Sequence, residues 1–255
     1  MNQGLFLYIA TVGFSLESAN VVGYDNVSTT NGFRALGMSF APVANQMDLQ
    51  ELKVSGYNHE DGFDGEINIQ FLDSIGRTAS KYFWYDIPAD EEDPDSVAFY
   101  GWYDGTDTLV EGVTVEPGQG FWLFSDSKEY GIQSAGQVIT TSTAVTLYNG
   151  GLYMVANPIP VDINLQDIVV GGYDHDNGFE GEINVQFLDT LGTMDSKYFW
   201  YDIPADEEDP DSVAFYGWYD GSDEFVESVV VEAGTALWTF SDSSQYTLVF
   251  PGVNL

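Results

Sequence analysis

The run Ser80-Lys-Tyr-Phe-Trp-Tyr-Asp-Ile87 leads through an acidic stretch into Val97-Ala-Phe-Tyr-Gly-Trp-Tyr103, and residues 80–105 recur unchanged at residues 196–221. Around this block, residues 56–111 match residues 172–227 at 43 of 56 positions without a gap. The offset is 116, so two units cover 232 of the 255 residues and leave 23 over. A period this long exceeds the 20–50 residues of stacked repeats, which makes each copy a domain-sized unit from a tandem duplication. The expected units are residues 20–135 and 136–255, preceded by a segment 1–19. Upstream the match thins to Met38 with Met154, Pro42 with Pro158 and Leu49 with Leu165, which implies an insertion or deletion near Asn31-Gly32 and Asn149-Gly150.

Within a unit the pattern is alternation broken by turn residues. Ile67, Ile69 and Phe71 alternate with Asn68 and Gln70, the signature of a half-buried strand. Lys81–Ile87 and Val97–Tyr103 are aromatic and strand-like, and Asp104-Gly105 reads as a tight turn into Leu109-Val110. Pro117-Gly118 turns the chain into Phe121–Phe124. Helical signal is confined to Asp48–Val54 and its counterpart Asn164–Val170, each enough for one turn. Short strands with Gly, Asn and Asp punctuation predict an all-β fold of two tandem antiparallel β-sandwiches.

Composition narrows the function. Acidic residues outnumber Lys and Arg by 41 to 6, giving a net charge of −35. Six scattered cations cannot build a phosphate-binding surface, which argues against nucleic acid and against anionic membranes as partners. No apolar run reaches 18 residues, so no helix is expected to span a bilayer. The absence of Cys excludes disulfides, thiolate metal sites and Cys nucleophiles. Acidity of this kind suits salt-rich or divalent-rich water and points to an extracellular or cell-surface location.

The residues left over hold their own signal. Gln3-Gly-Leu-Phe-Leu-Tyr8 aligns with Gln119-Gly-Phe-Trp-Leu-Phe124 at the same offset of 116. Met1–Ala19 resembles a signal peptide in part, but it has no Lys or Arg near its start and carries Glu17 near the would-be cleavage site. Retained structure is therefore expected. The chain then holds three copies of the closing strand and two of everything before it. Leu5, Phe6, Leu7, Tyr8 and Ile9 become a candidate subunit interface, a strand added to the sheet of another copy. The plainer reading is an edge strand on its own first unit.

Aromatic residues occupy both faces of the two aromatic strands. Tyr82 and Trp84 share one face with Tyr100 and Trp102, repeated as Tyr198, Trp200, Tyr216 and Trp218. Such faces can stack on sugar rings, pack on the other unit of the chain, or pack on another subunit. Acidic residues suggest calcium at two places. Asp174, Asp176, Glu180 and Glu182 alternate as oxygen ligands would, with Glu60, Asp64 and Glu66 as the first-copy set. The EF-hand spacing is missed, and a polar turn is the plainer reading. The loops Asp86–Ser96 and Asp202–Ser212 each carry six carboxylates in eleven residues and read as solvated connections. His59 and His175 have no partners that complete a zinc set or a triad, and no nucleotide-binding motif is present. No enzyme is expected.

The runs Pro117-Gly-Gln-Gly-Phe-Trp-Leu and Gly151-Leu-Tyr-Met-Val-Ala-Asn-Pro resemble motifs of secreted, β-rich bacterial surface proteins, in which a Gly-x-Gly-aromatic-Trp strand closes a sandwich. The second copy departs from the motif with Gly234-Thr-Ala-Leu-Trp. The spare strand resembles, in arrangement alone, the device of donor-strand pilins. The resemblance implies an extracellular structural subunit that forms a homopolymer, a filament or surface layer, by strand addition. The alternative is a monomeric adhesin or carbohydrate-binding module that takes a glycan on its aromatic faces.

Overall fold

The alternation in each copy folds into antiparallel strands. The computed structural model describes residues 22–41, 47–57, 66–93, 95–148, 150–173, 182–189, 191–206, 208, 211–242 and 245–253. The first half holds β1 (Val22–Gly37), β2 (Met47–Asp48), β3 (Lys53–Ser55), β4 (Ile67–Leu72), β5 (Thr78–Ile87), β6 (Phe99–Tyr103), β7 (Thr114–Val115) and β8 (Gly120–Gln137). The second holds β9 (Thr143–Leu147), β10 (Gly151–Ala156), β11 (Ile163–Asn164), β12 (Val169–Gly171), β13 (Ile183–Leu188), β14 (Met194–Ile203), β15 (Phe215–Tyr219), β16 (Val230–Val231), β17 (Ala236–Ser241) and β18 (Tyr246–Phe250). The expected helical turns are single 3-10 turns at Leu49–Glu51 and Leu165–Asp167, capped by the Asp48 and Asn164 side chains.

The second half shows the layering plainly. A five-stranded sheet runs β10-β17-β13-β14-β15, and a three-stranded sheet runs β12-β18-β9. In the first half, β1 and β8 pass unbroken through both layers, so the order reads β1-β8-β4-β5-β6 with β3 also on β8. Their pairing shifts register between Thr30 and Gly32. The core lies between the layers, and its members repeat at the sequence offset: Leu49 and Leu165, Ile67 and Ile183, Trp84 and Trp200, Trp102 and Trp218, Tyr130 and Tyr246. The fold is thus all-β and consistent with β-sandwich packing.

The Asp104-Gly105 turn differs from the expected two-residue hairpin. Asp104 N–H donates to the Thr108 carbonyl at 3.0 Å, and its carboxylate accepts from the N–H groups of Thr106 and Thr108. The loop is therefore longer, with Asp107 at positive φ and pairing resumed at Tyr103 with Leu109. Asp73, Asp189 and Asp220 build their turns the same way, accepting from the second and fourth residues ahead. Hydrogen bonds, led by the Arg77 backbone, the Thr106 hydroxyl and the Thr193 hydroxyl respectively, hold the Asp73, Asp104 and Asp189 carboxyls below the ordinary aspartate value. Part of the acidity is turn chemistry.

Strand register corrects the pairing of the two N-terminal parts. Leu36 lies opposite Phe121 and Val155 opposite Leu237, which makes Leu36, not Met38, the equivalent of a residue in β10. Met154 corresponds to Ala35. One additional residue sits in the second half at the Gly150-Gly151 turn, within the expected region. Three additional residues sit in the first half after Gly37, where sequence comparison had no core residue to anchor the gap.

The halves meet across a local two-fold arrangement. Gly37 N–H donates to Gly234 O at 2.8 Å, and the equivalent Ala156 N–H donates to Gly118 O at 2.9 Å. Trp122 and Trp238 meet edge to face at 6.2 Å. Met154, Ala156 and Ala236 fill the seam, flanked by Phe33, Ala35, Leu72 and Leu188. A side chain on Gly37 would overlap the Ala156 methyl, so the glycine permits the close approach. The reciprocal contacts have the form of an isologous interface, built here within one chain.

Two outcomes check this packing. Gly37→Val should lower stability to urea by about 1–3 kcal/mol through overpacking, with a change in tryptophan fluorescence; Gly105→Ala, with nothing within 4 Å of the new methyl, should not. Burial, followed by the charges of Tyr246, Tyr201, Asp202 and Asp242, pushes the Tyr173 phenol from 10.0 up to about 12. An unfolded chain releases that proton first, so this stability is complete below pH 10.0 and is lost as pH rises to about 12. Urea midpoints measured across that window should fall, and fall less in Tyr173→Phe.

Candidate functional site

The aromatic strands hide the rings that sequence alone offered as a platform. Trp84, Trp102, Trp200 and Trp218 are at most 2% exposed, so they are core residues and cannot receive a sugar. Cross-strand pairing sets Trp84 against Trp102 and Trp200 against Trp218, edge to face at 5.4 Å. The Trp102 and Trp218 indoles donate to the carbonyls of Leu52 and Ile168, both at 2.8 Å. Tyr82 and Tyr198 pack half-buried on Phe71 and Phe187. Tyr100 and Tyr216, with Trp rings beneath them, are the exposed members of the set at 56% and 59%.

The opposite face is also aromatic. Phe83 and Tyr85 stand parallel, 6.5 Å apart, with Phe99 and Tyr103 beside them, and Phe199, Tyr201, Phe215 and Tyr219 repeat the group. Lys81 and Lys197 place ammonium groups 4.5 and 4.4 Å from the Phe83 and Phe199 ring centres. Burial first, then the charges of Asp107 and Glu66, raise the Tyr85 phenol above its ordinary value; burial, then Asp223, does the same for Tyr201. The strict alternation of a strand separates these faces, and burial of the indoles decides which one points inward.

Of the calcium candidates, Glu66 and Glu182 lie in the described part, whereas Glu60, Asp64, Asp174, Asp176 and Glu180 lie outside the described residues, as do His59 and His175. Glu66 accepts from Lys81 Nζ at 2.8 Å and from Asn68 Nδ2 at 2.7 Å, and its N–H donates to Asp126. Glu182 repeats this with Lys197, Asn184 and Asp242. Both carboxylates thus tie β4 to β5 and β13 to β14. Among the described residues no group of three or more His, Asp or Glu side chains forms a metal cage. The loop at Asp86–Ser96 is an exposed turn in which Asp90 N–H donates to Ser96 Oγ at 2.8 Å. Leu5–Ile9 lie outside the described residues.

Two residues that the sequence reading passed over control the sheet edges. β6 and β15 are edge strands, and an open edge is a template for another chain. Gln50 Nε2 donates to Trp102 O at 2.8 Å while Trp102 N–H donates to Gln50 Oε1 at 3.1 Å, and Gln166 does the same for Trp218. Tyr100 and Tyr216 N–H groups donate to the hydroxyls of Tyr103 and Tyr219. These edges are closed by the protein itself. The available signal was the Leu-Gln pair retained at Leu49-Gln50 and Leu165-Gln166, where neighbouring residues differ.

Two equivalent clefts lie beside the seam, apart from a concavity of about 720 Å³ between Ile159–Val169 and Pro251–Val253. The larger of the two seam clefts, about 640 Å³, runs between β9 and the Thr114–Gln119 turn of the first half. Its counterpart, about 290 Å³, lies between Ser28-Thr29 of β1 and the Glu232–Thr235 turn.

No protein-family profile matches the chain, and no curated protein matches it. A chain from the structure of the Macrobrachium rosenbergii nodavirus is 9% identical over 98% of this chain and 96% of that one, with a TM-score of 0.14. That value is too low to carry an argument about fold or function.

Gln166→Ala should cost about 1–3 kcal/mol in urea unfolding, because it takes the acceptor from the Trp218 N–H and a donor from the carbonyls of Trp218 and Val226. Gln50→Ala should behave alike. Raising NaCl from about 10 mM to about 0.5 M should raise the melting temperature, because salt screens the repulsion among exposed carboxylates.

Proposed function

We propose that the chain is an extracellular structural subunit that self-assembles into a filament or surface layer by adding a β-strand of one copy to the sheet of the next. The observation that carries this reading is the third copy of the closing-strand sequence, Gln3–Tyr8, ahead of two complete sandwich halves.

The surroundings of the other two copies support it. Gly120–Phe124 lies between β1 and β4, and Ala236–Phe240 between β10 and β13, so each has strand neighbours on both sides. Phe121 and Leu123 enter the core while Trp122 enters the seam between halves. A strand of this composition has no polar face and is stable when both faces and both edges are covered. Leu5–Ile9 has the same character. The high negative charge keeps subunits apart except where an uncharged contact overcomes it.

Removing residues 1–21 tests the reading. The truncated protein should keep its β-rich circular dichroism, sediment as a monomer and give no ordered polymer by negative-stain electron microscopy. Polymers unchanged by the truncation would refute strand addition by this segment.

A further inference from the structure

We propose that the larger of the two seam clefts is the acceptor: Leu5–Ile9 of a neighbouring copy adds to the outer edge of β9. The proposal rests on the assembly reading above and names its receiving site. It comes from comparing the two halves, which present the same edge in two states.

In the first half the edge is closed. Arg34 reaches back along β1 and donates from Nη1 to the Ser28 carbonyl at 2.6 Å. The adjoining cleft is the smaller one, and it is lined by Arg34, Asp189 and Glu232. In the second half, register makes Thr146 the equivalent of Ser28, since they lie opposite Thr247 and Gly131. Tyr153 stands where Arg34 does. Its hydroxyl turns to the carbonyls of Tyr148 and Gly150, leaving the Thr146 carbonyl without the cap that Ser28 receives. Among the described residues none pairs with β9 on the side away from β18.

The remaining sheet edges are poorer acceptors. Gln50 and Gln166 close β6 and β15, while the seam holds the outer edges of β1 and β10 through Gly234 and Gly118. β3 and β12 are three residues each. β9 is five residues long, the length of Leu5–Ile9, and five extended residues span about 17 Å.

Charge and side-chain direction agree with this occupant. Among the described residues lining the cleft, Glu116 is the single charged one, in a chain of net charge −35. Met1–Leu16 contains no Asp, Glu, Lys or Arg side chain. Val145 and Leu147 of β9 belong to the core side, whereas Ala144 and Tyr148 are exposed. A strand beside them would set Leu5, Leu7 and Ile9 in line with Val145 and Leu147, and Phe6 and Tyr8 in line with Tyr148. Backbone hydrogen bonds supply the attachment and the alternate side chains supply the register.

The chain has no cysteine, so a designed pair reports directly. Phe6→Cys with Thr146→Cys, which share a face in this register, oxidised after assembly, should give a ladder of disulfide-linked oligomers on a non-reducing gel. Tyr153→Arg, which installs the cap of the first half, should cut the polymerised fraction about tenfold while the melting curve stays cooperative. Polymers that persist in Tyr153→Arg and fail to cross-link in the double-cysteine protein would overturn the acceptor while leaving strand addition standing. A disulfide confined to monomers would overturn the neighbour as the source of the strand. Loss of polymer on truncation of residues 1–21, tested separately, keeps the failure of the assembly reading distinct from that of its acceptor.

Discussion

A strand with no polar face is the constraint on which the rest depends. Phe121-Trp122-Leu123 in β8 sends its odd-numbered residues into a sandwich core and its even-numbered one outward, where an indole meets water unless something covers it. The second half supplies that cover and receives the same service for Trp238. Burial of large aromatic area is the dominant favourable term available to a domain of this size. The two halves, each with its own aromatic core, are thereby bound to associate. The glycine at position 37 and the alanine at position 156 then follow as the small residues that let two sheets approach.

The seam explains an asymmetry that composition alone does not suggest. The two halves repeat their cores closely, yet they differ where they touch. Gly151 presses against the Ser74 carbonyl, and the next N–H, of Leu152, donates to that same carbonyl at 2.9 Å. On the other side Arg34 and Asp189 line the smaller cleft. The local two-fold repeats the core pairs, whereas at the rim Arg34 bonds to the Ser28 carbonyl and its counterpart Tyr153 turns to Tyr148 and Gly150. Such a rim is where one copy of an edge can be capped and the other left open.

Acidity serves several ends. Aspartates at four hairpin turns accept pairs of backbone N–H groups, and glutamates at positions 66 and 182 tie neighbouring strands through lysines. Others are exposed, as are Asp90, Glu91 and Glu92 after β5 and Asp206 and Glu208 after β14. The spacing of acids in each copy suggested calcium, but one member of each set, Glu66 and Glu182, is already bonded to lysine and asparagine side chains. Abundance of a residue type says little about its partners, because partners come from other strands.

Much of the architecture was legible in residues 80–105 and their recurrence, because strand alternation and turn residues are local properties with a local physical cause. Much of the core list follows from that recurrence: Leu49, Ile67, Trp84, Trp102 and Tyr130 are buried together with their counterparts 116 residues on. The inward face of the aromatic strands was not legible, since Tyr82-Phe-Trp-Tyr85 is apolar on both sides and alternation without contrast carries no direction. Gln50, Gln166 and Arg34 were invisible for a related reason. Each acts on a strand end or carbonyl that the chain's folding brings to it, two of them across about fifty residues. Periodicity reports on the strand that carries a residue, and closure of an edge depends on which strand lies beside it. That neighbour is set by tertiary packing alone.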